Sequence, residues 1–332
     1  MRQIISIWTI SLSLTTFSFF GQENNIGKQT QDKFSSRDLT KIQTLQDLAK
    51  NINELTSDKK EQLQMLLLWS HQNMYADSIR FFQNGYPLTT KESFKKRIAL
   101  CDEFSNILTE FCEIMKIPSI RIVGYVKYLN YKSEDIFTDC NHAWNAVYVD
   151  SSWMLCDMFW ATNTLKVNRS SIAHFVKSLN TKYYLAHPKT FVSSHLPADP
   201  VFQFDNNPIK INSFTAYSDS INLKMDRLPY LNYNDSIKLL MKLNNNDRSL
   251  RIAQHSYMYN KNNPNFLIAE YYNYGVLIVN NKNSTKVQLK RAKNYFNTAI
   301  ELIDKSDKED IKMLKDNCTQ GIVNINKRIN TP

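Results

Sequence analysis

Three residues in the middle of the chain, Cys101, His142 and Asp157, have side chains that can act together in nucleophilic catalysis. Cys101 lies where an apolar helix pattern begins, and a helix N-terminus favours a thiolate because its unpaired N–H groups and dipole stabilise negative charge. An imidazole can take the thiol proton, and a carboxylate can fix the orientation and tautomer of that ring. By spacing alone, each residue is equally compatible with ordinary core packing, so a catalytic and a structural role both stay open.

The elements around these residues can bring them together. The helix after Cys101 carries its apolar side chains at helical spacing, at Phe104, Ile107, Leu108, Phe111, Cys112 and Met115. Short β-rich runs follow at 119–126, 143–149 and 153–159. We expect the last two runs to pair as antiparallel strands, which would place His142 beside Asp157.

The order of helical and β patterns indicates the fold class. Helical patterns at 39–55 and 61–82 precede the strands, and helices followed by strands favour an α+β fold. Further helical patterns lie at 235–243, 267–279, 289–303 and 311–329. They predict a separate all-helical domain, either a plain bundle or a tetratricopeptide-like array.

Local motifs in this region resemble those of the transglutaminase-like superfamily, whose fold is related to the papain-type cysteine peptidases. The shared motifs are Cys101 at a helix start, Gly124-Tyr125, His142-Ala143-Trp144-Asn145, and Trp153, Asp157 and Trp160. Farther along, His195-Leu196-Pro197 and 199–203 are similar to the branch that contains kyphoscoliosis peptidase and the cytokinesis proteins. The resemblance covers about 39–214 and implies a fold of helices packed on an antiparallel sheet.

The resemblance implies a cysteine-dependent acyl-transfer enzyme of the transglutaminase or peptidase type, acting on a protein or peptide amide. Cys101 would attack the amide carbonyl to form a thioester, His142 would shuttle the proton, and Asp157 would hold His142. Water would then give hydrolysis, and an amine would give a crosslink. Strand alternation places Trp144 on the face of His142, where we expect it to wall the substrate-binding cleft.

Two residues beside the nucleophile depart from the family pattern, which has glycine two positions before and after the cysteine. Here Ala99 and Glu103 occupy these positions, and the acidic pair Asp102 and Glu103 would partly oppose a thiolate. These departures support an alternative function, a catalytically weak or inactive fold that serves as a protein-binding scaffold. We expect His195 to be a structural residue in a loop.

The chain divides into four predicted segments. Residues 1–21 have a positive start and an uncharged apolar run, which is typical of a secretory signal peptide. Polar residues 22–38 form an expected flexible leader, 39–214 the transglutaminase-like domain, and 215–332 the helical domain, a possible site for a protein partner. We therefore expect an exported protein, periplasmic or secreted, without a transmembrane anchor in the mature chain.

Composition and motifs argue against several other functions. The net charge is +10, but the basic residues are scattered, which argues against dedicated nucleic-acid binding. The chain has only 6 glycines and shows neither a phosphate-binding loop nor a dinucleotide-binding fingerprint. Its 5 cysteines have no metal-ligand spacing, so we expect no metal and no cofactor.

Overall fold

The computed structural model describes residues 26–83, 85–128, 131–132, 135–167, 173–216, 226–306 and 309–330. The predicted signal peptide lies outside these residues. An antiparallel sheet with helices packed against it confirms the predicted α+β class. In the part of the chain that the structure describes, no helix is both long and apolar enough to cross a membrane.

Helices form one side of the core. They are α1 (Lys28–Ser35), α2 (Leu45–Leu55), α3 (Lys59–Asn73), α4 (Ser78–Phe82) and α5 (Thr90–Lys96). The expectation of a flexible leader at 22–38 is wrong where the structure describes it, because α1 buries Phe34 against the core. The single helix predicted over 61–82 is interrupted by β1 (Tyr75–Ala76), which pairs in parallel with β2 (Ile98–Ala99).

The central helix α6 (Cys101–Met115) packs on the main sheet, and the predicted start at Cys101 is confirmed. The predicted apolar stripe of α6, from Phe104 to Met115, is buried. The sheet has the order β5-β4-β3-β8 and is antiparallel throughout. Its strands are β3 (Ser119–Val126), β4 (His142–Val149), β5 (Ser152–Cys156) and β8 (His195–Pro197).

The segment between β5 and β8 folds beside the sheet. It contains α7 (Met158–Thr162), the hairpin β6 (Asn163–Val167) and β7 (Ala173–Lys177), and α8 (Pro188–Phe191). The predicted strand over 153–159 therefore ends early. The reason is that Asp157 accepts a hydrogen bond from the Trp160 N–H and so acts as the N-cap of α7.

Helices make up the C-terminal part of the described chain. They are α9 (Ile211–Ala216), α10 (Tyr233–Lys242), α11 (Asn245–Tyr259), α12 (Asn265–Asn280), α13 (Lys286–Ile303) and α14 (Glu309–Asn330). Helix α11 was not predicted, because its asparagine-rich start indicated a loop; Asn244 is instead the N-cap that begins it.

The buried clusters suggest a different boundary from the predicted one at 214/215. Ile237 and Leu240 of α10 pack in the same cluster as Trp144 and Leu155 of the sheet. Helices α11 to α14 share a cluster of their own that is centred on Phe296. By packing, α10 belongs with the sheet, and the helical unit begins near residue 244.

Candidate active site

His142 and Asp157 form the centre of the candidate site. His142 begins β4, and Asp157 follows the last residue of the neighbouring strand β5. Their side chains meet through His142 Nε2 and Asp157 Oδ2 at 2.6 Å, and both are buried. The N–H of Asp157 donates to the Tyr183 carbonyl at 2.7 Å, which fixes the carboxylate from the backbone. The contact expected between His142 and Asp157 is thus present in the structure.

His195 is a second histidine on the same carboxylate, and the sequence interpretation missed it. Its Nε2 lies 3.0 Å from Asp157 Oδ2, the oxygen that His142 also contacts. His195 is not in a loop but begins β8, which pairs with β3 so that His195 lies opposite Val126. The only sequence signal was the His195-Leu196-Pro197 motif.

Burial and hydrogen bonding set the protonation of these groups. Burial lowers the pKa of His195 to about 4, so this ring is neutral near pH 7 and carries one N–H. We place the hydrogen on Nε2, which donates a hydrogen bond to the Asp157 carboxylate. The unprotonated Nδ1 then accepts a hydrogen bond from the Ser194 hydroxyl at 2.8 Å.

The pKa values of Asp157 and His142 shift in opposite directions. Burial raises the pKa of Asp157, but the charge of His142 and the hydrogen bonds from both histidines outweigh it and hold the pKa well below its usual range. Burial lowers the pKa of His142, but the nearby Tyr128, Asp157 and Cys101 groups outweigh it and raise the pKa well above 6.5. His142 is therefore stabilised as an imidazolium beside a carboxylate, which is the state that a thiolate partner requires.

Tyr128 contacts the other nitrogen of His142, a role that no sequence motif indicated. Its hydroxyl lies 3.2 Å from His142 Nδ1, and burial raises the pKa of Tyr128 to about 12, so it stays protonated. Since Asp157 occupies Nε2, Nδ1 is the nitrogen that remains for the proton of a thiol. In the described residues that nitrogen bonds with Tyr128 instead of Cys101.

Cys101 is the first residue of α6, and its side chain is partly buried. The Cys101 group is among the neighbours that raise the pKa of His142 and of Tyr128. Asn145 of β4 donates to the Ser105 carbonyl at 3.2 Å, which ties the strand of His142 to the helix of Cys101. The catalytic roles of Cys101, His142 and Asp157 stay predictions.

The acidic residues after Cys101 are both paired with arginine. Glu103 is buried, and its carboxylate accepts two hydrogen bonds from Arg80, at 2.5 and 3.0 Å. It also accepts the backbone N–H groups of Leu88 and Leu100, and Asp102 forms an ion pair with Arg121. The opposition to a thiolate that the sequence suggested is therefore reduced by neighbouring positive charge.

Trp144 does not lie where the sequence placed it. It is only 1% exposed, and its ring packs beside those of His142 and His195 instead of walling an open cleft. Gly124 of the neighbouring strand makes room for it, because a Cβ there would come within 2.6 Å of the Trp144 ring. The structure supports Trp144 as a packing residue beneath the histidines.

A pocket lies beside His142, and Trp144 is not among the residues that line it. We call it the aromatic pocket; its volume is about 290 Å³, and it is lined by Lys127, Tyr128, Trp160, Asn163, Thr164, Leu165, Phe175, Asn180 and Tyr183. Tyr128 and Trp160 are also in ring contact with His142. The pocket therefore adjoins the candidate catalytic imidazole.

His142, Asp157 and His195 are also a group of described residues whose ligand atoms, within 4.8 Å of one another, could hold a metal ion. Both histidine Nε2 atoms, however, are already bonded to the same carboxylate oxygen at 2.6 and 3.0 Å. A metal would have to break both hydrogen bonds. We therefore interpret the group as a hydrogen-bonded network.

The part of the chain that is similar to known proteins contains Cys101, His142 and Asp157. Residues 46–158 match the family model of the transglutaminase-like superfamily. The kyphoscoliosis peptidases of Mus musculus and Homo sapiens are each 28% identical to this chain over 115 residues. That match covers 34% of this chain but only 17% of each of these curated relatives.

Proposed function

From the match of residues 46–158 to the family model of the transglutaminase-like superfamily, we propose that the protein is a cysteine-dependent acyl-transfer enzyme acting on protein or peptide amides. The observation that carries the proposal is the buried pair of His142 and Asp157, 2.6 Å apart, on a strand that Asn145 ties to the helix whose first residue is Cys101.

In the proposed reaction the Cys101 thiolate attacks the carbonyl carbon of the amide. The C–N bond breaks as the His142 imidazolium gives its Nδ1 proton to the leaving amine, and a thioester forms on Cys101. His142 then takes a proton from water or from a second amine, which attacks the thioester and releases the acyl group. Asp157 stabilises the imidazolium at Nε2, and His195 donates a second hydrogen bond to the same Asp157 oxygen.

The reactivity of Cys101 tests the proposal. We expect iodoacetamide to alkylate Cys101 rapidly well below pH ~8.5, where an ordinary thiol is mostly protonated. His142→Ala should remove this advantage because the imidazolium is lost, and Asp157→Ala should have a weaker effect. Intact-mass labelling measures each rate, and slow, His142-independent alkylation would sink the proposal.

Cys140 provides a matched control, because it is likewise partly buried. Burial raises the pKa of Cys140 to about 12, and its sulfur lies 3.5 Å from the Asn263 amide. Cys140→Ser should leave the rapid labelling unchanged, whereas Cys101→Ala should abolish it.

The type of acceptor distinguishes the two subclasses of reaction. Incubation with casein and a fluorescent primary amine would report amine incorporation, and new N-termini would report hydrolysis. Loss of either product in Cys101→Ala assigns it to this site.

The alternative, a weakly active or inactive binding scaffold, is supported by one contact. The Tyr128 hydroxyl bonds with His142 Nδ1, the nitrogen that a thiol would need. Tyr128→Phe discriminates between the functions. Faster Cys101 alkylation would fit an enzyme that Tyr128 restrains, and unchanged slow alkylation would fit the scaffold.

We also propose that the protein is exported, on the basis of the apolar run in 1–21. N-terminal sequencing of the native protein should give a start near Gln22, and an intact Met1 in a cytoplasmic fraction would contradict export.

A further inference from the structure

The aromatic pocket has the features of a specificity site. Four of its lining residues, Tyr128, Trp160, Phe175 and Tyr183, are aromatic side chains that are partly exposed. With Leu165 they present an apolar surface toward solvent at the edge of the candidate site. We propose that this pocket binds a large apolar, preferentially aromatic, side chain of the amide substrate; the proposal rests on the proposed function.

The pocket connects directly with the candidate catalytic groups. Tyr128 Oη is 3.2 Å from His142 Nδ1, and the rings of Trp160 and His142 are 5.6 Å apart. Trp160 lies in α7, the helix that Asp157 caps, and its N–H donates to the Asp157 carboxylate. A side chain in the pocket would therefore lie beside two residues, Tyr128 and Trp160, that contact the His142 imidazole.

Two of the polar lining side chains, Asn163 and Asn180, are already bonded within the protein. The Asn163 amide donates to the Phe159 carbonyl and the Thr162 hydroxyl at 3.1 and 2.9 Å. The Asn180 side chain accepts the Lys182 N–H at 3.2 Å. A charged substrate side chain would lose water and find little polar compensation here, so the pocket selects against it.

Lys127 is the charged residue among the lining side chains. Its ammonium group lies 4.5 Å from the centre of the Phe214 ring and 5.3 Å from that of Tyr131. It is thus engaged with aromatic rings, and this contact disfavours its use as a dedicated partner for an acidic side chain.

The apolar wall is fixed before any substrate binds. The Phe175 ring contacts those of Phe81 and Phe159, at 5.0 and 4.9 Å between centres, and its N–H donates to Ser78 Oγ at 3.1 Å. A preformed apolar wall keeps the ordering cost of binding low. The volume of about 290 Å³ is at the small end of ligand pockets, which suits one large side chain.

Tripeptidyl chloromethyl ketones test the proposal, with Phe, Leu, Gln, Glu or Gly placed at each of the three positions in turn. At one position we expect Phe and Leu to label Cys101 about 10-fold or more faster than Gly, and Glu to be slowest. Thr164→Trp fills the pocket and should remove this preference. Lys166→Trp, an exposed position on the same strand that does not line the pocket, is the matched control and should keep it.

Two further measurements separate failure of this proposal from failure of the proposed function. Iodoacetamide has no side chain for the pocket, so its rate at Cys101 reports the nucleophile alone. Calorimetry on Cys101→Ala with the acetylated tripeptide amides reports the pocket without catalysis. If the Phe and Gly peptides label the wild-type protein at equal rates and bind Cys101→Ala equally well, the pocket proposal is wrong even where iodoacetamide labelling is fast. If Cys101 is inert but Phe peptides bind and Thr164→Trp abolishes binding, the pocket stands and the enzyme proposal falls.

Discussion

At the scale of single residues, the Asp157 carboxylate is the hub of the site, because one oxygen accepts from two histidines. His142 and His195 approach it at 2.6 and 3.0 Å, yet their pKa values shift in opposite directions. At His142 the neighbouring Tyr128, Asp157 and Cys101 groups outweigh burial, whereas at His195 burial outweighs the hydrogen bond and charge of Asp157 and keeps the ring neutral. The two imidazoles are therefore suited to different roles, a proton carrier and a fixed hydrogen-bond donor.

Replacing His195 should change the reactivity of the thiol through Asp157. In His195→Phe the carboxylate loses a donor, so we expect Cys101 alkylation at pH 7 to slow roughly 10-fold, since a hydrogen bond to a charged group contributes about 1.5–3 kcal/mol. In a plot of the Cys101 alkylation rate against pH, the fall at low pH should move to higher pH because the pKa of Asp157 rises. His195→Gln keeps an N–H donor and should restore most of the rate. A wild-type pH profile in His195→Phe would show that His195 only packs.

The neutral state of His195 also makes folding stability depend on pH. Its pKa is lowered from 6.5 to about 4 by burial, so between these values the unfolded chain binds a proton that the native state does not. The free energy of unfolding should therefore fall as pH drops through this window, by roughly 1 kcal/mol for each pH unit. His142, whose pKa is raised, is protonated in both states below pH 6.5 and adds no slope there. Urea unfolding of wild type and His195→Gln from pH 4 to 7 should show a smaller slope in the variant.

The departure from the family at Glu103 is accommodated by Arg80, whose side chain is 10% exposed. Arg80→Met would leave the buried Glu103 carboxylate without its counter-charge, and we expect a loss of about 3–5 kcal/mol in unfolding free energy. Adding Glu103→Gln should recover part of it, because the amide oxygen can still accept the Leu88 and Leu100 N–H groups. Chemical denaturation of the single and double variants tests this, and equal stability of Arg80→Met and wild type would contradict it.

At the scale of elements, helix packing in the C-terminal unit depends on glycines that face one ring. A Cβ on Gly275 of α12 or on Gly321 of α14 would come within 2.6 or 2.4 Å of the Phe296 ring in α13. The three helices therefore approach one another more closely than residues with side chains would permit.

Gly321→Ala should force Phe296 out of its position, with a loss of about 1–3 kcal/mol from overpacking that outweighs the better helix propensity of alanine. Asn317→Ala, an exposed position in the same helix, serves as the control and should be neutral or slightly stabilising. Thermal unfolding measures both, and a Gly321→Ala protein as stable as the control would refute this account of the packing.

Strand order explains why some of the site could not be read from the sequence. Helix α6 and strands β3 to β5 follow one another along the chain, so their hydrophobic period and turns predict both their positions and the meeting of His142 with Asp157. Strand β8 joins the sheet at its far edge, beside β3. That pairing brings His195 to Asp157 across 38 residues of sequence, and no local pattern specifies it.

At the scale of the whole molecule, buried asparagines attach the helical unit to the segment that leads into β4. Asn260 donates to the Phe137 carbonyl at 2.8 Å and to Tyr125 Oη at 3.1 Å. Asn263 donates to the same hydroxyl at 3.1 Å, and Asn265 to the Thr138 carbonyl at 3.2 Å. The helical unit thus supports the chain just before His142.

Asn260→Ala should leave the Phe137 carbonyl without its donor and lower the unfolding free energy by about 1–3 kcal/mol. We also expect faster amide hydrogen exchange over 137–142, because this segment loses its attachment. Asn262→Ala, an exposed neighbour in the same loop, should change neither quantity. If exchange over 137–142 is the same in both variants, the helical unit does not support this segment.

The sequence by itself determined the α+β class, the helix that begins at Cys101, the strands that carry His142 and precede Asp157, and the resemblance to transglutaminase-like proteins. These features follow from local periodicity and motif order, which are properties of short stretches of chain. It placed Trp144 at the cleft and His195 in a loop, because the orientation and neighbours of a side chain depend on which distant element covers it.

Only the tertiary structure decided the surroundings of the candidate triad. The approach of His195 and Tyr128, the pairing of Glu103 with Arg80, the burial of Trp144 and the packing of α10 on the sheet all join residues far apart in sequence. The physical reason is that burial and hydrogen bonding act between elements once they are packed. Sequence patterns specify each element separately, and the pKa values, the pocket and the partners of the catalytic candidates arise where the elements meet.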